Sequence, residues 1–354
     1  MPSSVGAEPL SVCYLLDDTA LFGGVKVVLQ QASWMTRRGH RVVVATPGER
    51  PTWFDLESEF LRLPRLEAAT VPQADVTVAT YWTTIEPAVE GASASVVHYC
   101  QGFEGSYTHN EEEHPAIEGA YSIPLPAFAV SDHLRRLLQR RFGRTARVVP
   151  QPLEEFFRPA PKRGPGRPAR ILVPSPFEID WKGVETGLRA VARLRERTDC
   201  RLIRLSQWPR SEDEARLPEA DEFHCHLEPR EVATLLRSCD LVLTPSWEQE
   251  GFGLPALEAM ASGVPVVASD VSCYRDWAEP ARLATVRDPG AFAEAAEELL
   301  SSSARWQEHR RRGLVLAERY REERAAEEVE RALYWVARGE WRQERPQTPP
   351  SATE

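Results

Sequence analysis

Two glutamates stand eight positions apart, at 250 and 258, in the stretch "EQEGFGLPALEAMASGVPVVASD" (248–270). Between them run Gly251, Phe252, Gly253, Leu254 and then Pro255. A helix built only for packing has no need of Gly-Phe-Gly-Leu-Pro as its entrance. Glycines without a Cβ let a ligand approach the backbone N–H groups. Pro255 suits a first helical turn, where its missing N–H costs nothing, and Gly263 suits the position just past the helix end. The N-terminus of such a helix carries a partial positive charge, which fits a diphosphate. Glu250 falls in the loop and Glu258 about one turn into the helix. The plainer reading is a strand–loop–helix turn with exposed acids. Glu248 has no role that this pattern supplies.

Four further groups stand out. Lys182, in "SPFEIDWKGVETGLRAV", opens a helix after a strand; a fixed cation there would offset the charge that gathers on a departing diphosphate. Gly23-Gly24 in "LLDDTALFGGVKVV" permits close backbone approach to a ligand, with a plain tight turn as an equal alternative, and Lys26 one turn on is read equally as a surface cation. His98, Gln101 and Glu104 follow a strand in "VVHYCQGFEGSYTHNEEEHP", with Gly102 and Gly105 beside them as marks of a ligand loop. For His98 the competing reading is a buried, hydrogen-bonded histidine. The run Glu111 to Glu113 is read as a solvated loop; if functional, it would favour a cationic acceptor or exclude an anionic one. Last, "HLRRLLQRRFGRTAR" carries six arginines between 135 and 147. Such a helix can lie weakly on a membrane surface, although a solvated arginine-rich helix explains it more simply.

The elements that must position these groups alternate strand and helix. "LSVCYLL", the helical spacing of "GGVKVVLQQASWMTRRG" and "HRVVVAT" form a βαβ unit, which implies a parallel sheet. The Pro-, Gly- and Arg-rich segment 153–169 is a linker by composition. The α/β alternation then resumes. The expected organisation is a Rossmann-like domain over 1–152, the linker, a second doubly wound domain over 170–304, C-terminal helices over 305–338 that cross back to the first domain, and a disordered tail over 339–354. Two such domains would face each other across a cleft, with ligands outside the carboxyl ends of the strands.

The bulk properties narrow the class. The 354-residue chain is long enough for two full cores, and its net charge of -10 argues against a nucleic-acid partner. No apolar run reaches the length of a transmembrane helix, and the N-terminus lacks a signal-peptide pattern. The six unpaired-looking cysteines are read as buried thiols of a reducing, cytoplasmic protein. "HCH" at 224–226 lacks an accompanying C-x-x-C, and with no Asp-x-Asp motif either, no metal is expected.

The stretch "EGFGLPALEAMASGVPVVASD" resembles the signature of family 4 retaining glycosyltransferases with the GT-B fold, Glu-x7-Glu followed by Ala-Met-Ala-x-Gly-x-Pro-Val-Val. The resemblance extends more weakly over nearly the whole chain. It implies transfer of a sugar from a nucleoside-diphosphate sugar to an acceptor hydroxyl of a glycan or small molecule, with no cofactor beyond the donor. UDP is the first expectation for the nucleotide, with dTDP, GDP and ADP as alternatives. Glu258 would hold the ribose, since a carboxylate accepts from two vicinal hydroxyls at once. Glu250 would lie beside the donor sugar, with the Phe252, Gly253 and Leu254 amides near its hydroxyls and phosphates. Lys182 matches the family's Lys-Gly, and Gly23 and Gly24 its N-terminal glycine loop. The family's Gly-Arg-Leu arginine is replaced by Ser175-Pro176-Phe177-Glu178, so Arg204 is the candidate to supply the second cation. His98, Gln101 and Glu104 resemble the "VQ-x-x-E" stretch of a subset that builds rhamnose-containing and similar polysaccharides. They would serve the acceptor side, His98 by orienting a hydroxyl. The rivals are a non-catalytic sugar-nucleotide-binding or scaffold protein and, less well matched, a GT-B sugar-nucleotide epimerase.

Overall fold

A computed structural model describes residues 8–344. The chain divides into two units, one running to Pro152 and resuming at Glu323, the other spanning Leu153–Glu322.

The first unit contains β1 (Ser11–Leu15), α1 (Gly23–Arg37), β2 (Arg41–Thr46), β3 (Glu59–Arg62), β4 (Val76–Ala79), α2 (Trp82–Gly91), β5 (Ser95–Cys100), α3 (His114–Ser122), β6 (Ala127–Ala129), α4 (Asp132–Phe142) and β7 (Ala146–Val148). Its strands form one parallel sheet in the order β3-β2-β1-β4-β5-β6-β7. β1 from Val12 to Leu15 and all of β4 are buried, and apart from Thr77 they are apolar, because helices cover both faces of a parallel sheet.

The second unit contains β8 (Ala169–Pro174), α5 (Val184–Leu194), β9 (Cys200–Ser206), α6 (Glu212–Ala215), β10 (Glu222–Cys225), α7 (Pro229–Ser238), β11 (Leu241–Thr244), α8 (Leu254–Ala261), β12 (Val266–Ser269), α9 (Ser272–Trp277), β13 (Arg282–Ala284), α10 (Pro289–Leu300) and α11 (Ser303–Ala317). The sheet is again parallel, in the order β10-β9-β8-β11-β12-β13. α5 shows how sequence sets the packing: Val184, Leu188, Val191 and Leu194 recur at helical spacing and are buried in the core with Ile171, Leu243 and Phe292. The ends of this unit meet, with Leu153 bridging Arg321 and Arg321 Nη1 donating to Glu154 O at 3.3 Å.

α12 (Glu322–Ala337) carries the chain into the first unit. There Glu330 accepts from Arg38 Nη2 at 2.6 Å and bonds His40 Nε2 at 3.0 Å. The tail expected to be disordered instead forms a short 3-10 turn at Glu340–Arg342, and the Trp335 indole donates to Glu344 at 2.9 Å. Residues 345–354 of that expectation lie outside the described residues. No helix among the described residues is long and apolar enough to cross a membrane.

Candidate functional site

In the second sheet the strand order reverses between β8 and β11. Loops leaving two such neighbours diverge, and ligands bind at the crevice they open. The loop after β8 carries Lys182 and the loop after β11 carries Glu250. Topology alone therefore selects these two loops, and the side chains meet. Lys182 Nζ donates to both Glu250 carboxylate oxygens, at 3.0 and 2.8 Å. Glu250 is buried and Lys182 partly buried.

Two backbone features hold the pair. Trp247 N donates to Trp181 O at 2.7 Å, tying one loop to the other. Gly183 takes φ +63° at the N-cap of α5, and a Cβ there would stand 2.0 Å from Pro245 O. A glycine is required because the left-handed backbone and the contact with the neighbouring loop coincide. Arg287 lies 3.6 Å above the Trp247 ring and adds a cation–π contact to the same corner.

The glycine loop is anchored from α9. Phe252 O accepts from Trp277 Nε1 at 2.8 Å and from Cys273 Sγ at 3.0 Å. Its ring stacks on Trp277 with centroids 4.3 Å apart and planes 6° from parallel. In a trans peptide the carbonyl and the next N–H point oppositely, so fixing this carbonyl on α9 turns the Gly253 amide away from α9. Gly253 has φ +83°, and a Cβ would meet the Tyr274 ring and hydroxyl at 2.6 Å. Leu254 and Pro255 open α8, Gly263 follows it at φ +72°, and Glu258 sits half-buried one turn in.

Glu248, for which the pattern offers no role, accepts from Ser272 N at the first residue of α9, with both oxygens at 3.2 Å. It steadies the helix that holds Phe252. Glu248, Tyr274, Cys273 and Trp277 are the members of this site that sequence reasoning misses. Trp277 lies 25 positions from Phe252, and no spacing rule connects them.

Arg204 departs from its expected role. It is 1% exposed. Its Nε donates to Glu214 at 2.7 Å and its Nη1 to Val173 O and Leu205 O at 2.7 and 2.9 Å. A guanidinium desolvated and committed to a buried carboxylate is a structural charge and does not serve as a mobile counter-ion for phosphate.

The acceptor-side residues separate likewise. Gln101 Nε2 donates to Gly24 O at 3.1 Å, so β5 and the Gly23-Gly24 loop share one corner. Gly23 and Gly24 open α1, and Lys26 is buried rather than a surface cation. His98 is 0% exposed, and its Nδ1 accepts from Arg144 Nη1 at 3.1 Å, which leaves the proton on Nε2. Burial and the neighbouring guanidinium hold the imidazole well below its ordinary range, so His98 is a neutral core group rather than a surface catalyst. Glu104 is also buried and accepts from the Tyr121 hydroxyl. Gly102 and Gly105 make room for the Tyr107 hydroxyl and the Phe103 ring, not for a ligand.

Burial pushes the Glu104 carboxyl from 4.5 to about 7. Below pH 4.5 it is protonated in both folded and unfolded chains. Between 4.5 and 7 the unfolded chain releases a proton that the folded chain keeps, so stability falls as pH rises through this window. Relative to Glu104→Gln, the wild type is expected to lose on the order of 2–3 kcal/mol between about pH 5 and 8. Urea midpoints of both proteins across that range measure it; parallel curves would rule the shift out.

The arginines of α4 and of the stretch that follows it, through β7, are largely engaged within their own unit. Arg135 and Arg136 pair with Asp132, Arg141 with Glu118, Arg144 is buried, and Arg147 lies 5.0 Å from the Trp335 ring. This suits a solvated helix better than a membrane-facing one. Five of the six cysteines are buried thiols, and Cys225, expected to be buried too, is exposed at the end of an edge strand.

Residues 168–302 match the family model described as Glycosyl transferases group 1. The match covers the second sheet and the loops after β8 and β11. The matched segment holds Lys182, Glu250 and Glu258. Among curated proteins, the MMP alpha-(1->4)-mannosyltransferase of Mycolicibacterium hassiacum is 36% identical over 143 residues, 38% of this chain and 34% of that protein. The D-inositol 3-phosphate glycosyltransferase of Corynebacterium diphtheriae is 30% identical over 179 residues, 43% of this chain and 42% of that one. The chain thus spans well under half the length of these relatives. Solved structures extend the likeness in fold. Sucrose-phosphate synthase from Thermosynechococcus elongatus aligns over 93% of this chain and 99% of its own with TM-score 0.75 at 15% identity. Anabaena Alr3699/HepE in complex with UDP and glucose aligns over 92% and 99% with TM-score 0.74 at 13% identity. The chain has the GT-B fold.

Proposed function

We propose that the protein is a metal-independent, retaining glycosyltransferase that moves a sugar from a nucleoside-diphosphate sugar, UDP-linked first, to an acceptor hydroxyl. The observation that carries this reading is the Lys182–Glu250 pair, with Nζ to oxygen distances of 3.0 and 2.8 Å, at the strand-order reversal and beside a left-handed glycine loop. A cation there suits the diphosphate, Glu250 the sugar hydroxyls and Glu258 the ribose. The Phe252, Gly253 and Leu254 backbone lies at the N-terminus of α8, where amides and helix dipole favour an anion. In the reaction the bond from the anomeric carbon to the β-phosphate oxygen breaks. The acceptor oxygen bonds to that carbon on the same face, its proton passes to the departing phosphate, and the nucleoside diphosphate leaves. The part of the protein is to stabilise charge and hold position, with no covalent nucleophile.

Complexes of Alr3699/HepE with UDP-glucose support UDP as the first donor to try. Glu258→Ala is expected to weaken UDP binding roughly ten- to a hundred-fold, the range for losing a charge-assisted hydrogen bond. Calorimetric titration with UDP reads this directly, and unchanged affinity would remove Glu258 from the ribose.

One observation favours the second reading, a non-catalytic sugar-nucleotide-binding protein. Arg204 is committed to Glu214, and the family's arginine is replaced by the Ser175–Glu178 segment. Slow release of nucleotide diphosphate from the donor without acceptor separates the two: release supports the transferase, binding without release the scaffold.

A further inference from the structure

The first sheet reverses its strand order between β1 and β4. The rule that selects Lys182 and Glu250 in the second sheet therefore selects the loops after these two strands. Their residues are of two kinds. Asp17, Asp18 and Phe22 follow β1, both acids exposed and Phe22 40% exposed. Tyr81 and Trp82 follow β4, and Trp53 comes from the loop after β2, all three rings only partly covered. Hydrogen bonds join the loops into one surface. Thr83 Oγ1 donates to Asp17 Oδ1 at 2.9 Å, Trp53 Nε1 to Thr19 O at 3.1 Å, and Gln101 Nε2 to Gly24 O at 3.1 Å.

Rings held half in water on anchored loops lose solvation benefit unless something covers them. Their faces take the C–H side of a saccharide ring, and they also attract a cation through the ring quadrupole. Charge decides between neutral, anionic and cationic occupants. The loops after β1, β2, β4 and β5 (16–22, 47–57, 80–81 and 101–113) carry nine acidic residues and one arginine, Arg50. Of the nine, Glu104 is buried, Glu49 pairs with Arg62 at 2.7 Å and Glu57 with Arg37 at 3.0 Å, which leaves Asp17, Asp18, Asp55 and Glu111 to Glu113 to set the charge. Arg50 donates to Leu56 O at 3.0 Å and lies 5.8 Å from the Phe60 ring. A phosphorylated or carboxylated ligand meets net repulsion on this surface, and an ammonium group meets attraction from acids and rings together.

The geometry points to an acceptor that is a polyol ring bearing a protonated amine, an amino sugar or an aminocyclitol. The word acceptor rests on the transferase reading; the surface itself is tested without turnover. The experiment is calorimetry of the full chain with glucosamine, glucose and glucose 6-phosphate at low salt. Glucosamine is expected to bind roughly ten-fold more tightly than glucose, and the phosphate not at all. The advantage shrinks at about 0.5 M salt, where exposed charges are screened. Asp18→Asn narrows it, and Trp82→Ala weakens both neutral and amino sugars. Equal affinities, a preference for the phosphate, or binding by none of the three overturns the proposal. Failure of the donor to bind or to release nucleotide defeats the transferase reading instead and leaves this titration decisive.

Discussion

Lys182→Ala lowers the rate of nucleotide release from the donor by roughly 100- to 1,000-fold, the usual cost of losing one preorganised group that meets developing charge. The side chain bonds both oxygens of Glu250, at 3.0 and 2.8 Å. Its removal has two separable consequences. On the proposed reading the departing diphosphate loses its cation, which acts on the rate. The buried Glu250 carboxylate also loses its counter-charge, which acts on stability, since breaking a desolvated pair from one side costs more than the pair contributed. The double variant Lys182→Ala/Glu250→Gln distinguishes them. Neutralising the carboxylate restores thermal stability, while the rate stays low. A double variant that regains the rate would show that Lys182 acts only through Glu250 and that the diphosphate is met by something else.

Gly183→Ala destabilises the second unit by about 3–5 kcal/mol, combining a left-handed backbone with an overpacked contact. The Cβ would stand 2.0 Å from Pro245 O and 2.9 Å from its carbonyl carbon, both backbone atoms. No rotamer change relieves a clash with main chain, so the loops after β8 and β11 must part. The melting temperature is expected to fall by roughly 10 °C for a unit of this size. Gly119→Ala is the matched control. It lies within α3 at an exposed position, its Cβ would meet nothing within 4 Å, and alanine there is neutral or stabilising by up to about 1 kcal/mol. Equal melting points for the two variants would mean that Gly183 is not under the constraint described.

What the sequence displays of this molecule follows physical range. The α/β alternation is local, because the period of apolar residues switches between two and 3.6 within each element. The helix over 254–261 and its glycine exit are legible for the same reason. Glu250 and Lys182 are legible through strand-to-loop position, and their pairing follows from the strand order, which no local pattern contains. His98 and Glu104 show the limit. A histidine and a glutamate in a glycine-bearing loop look like a ligand site, yet three-dimensional packing turns both inward onto Arg144 and Tyr121. Arg204 fails in the same way, since Glu214 lies on the short helix α6 that only the fold brings against β9. Trp277 fails oppositely: nothing around it suggests a role, and its indole N–H orients the peptide on which the glycine loop depends.

The bridge between Leu153 and Arg321 has a consequence for how such chains are assembled over time. A segment that leaves and re-enters at one point behaves as a cassette. Its ends are already clasped, so a replacement needs to match that clasp rather than a long boundary. Domains with adjacent termini tolerate insertion and exchange for this reason. The part that carries Lys182, Glu250 and Glu258 is thereby exchangeable as a block, leaving the aromatic and acidic loops of the first sheet with their host. On the proposed reading, donor chemistry and acceptor choice then change independently, in a single protein, by changing different stretches of one gene.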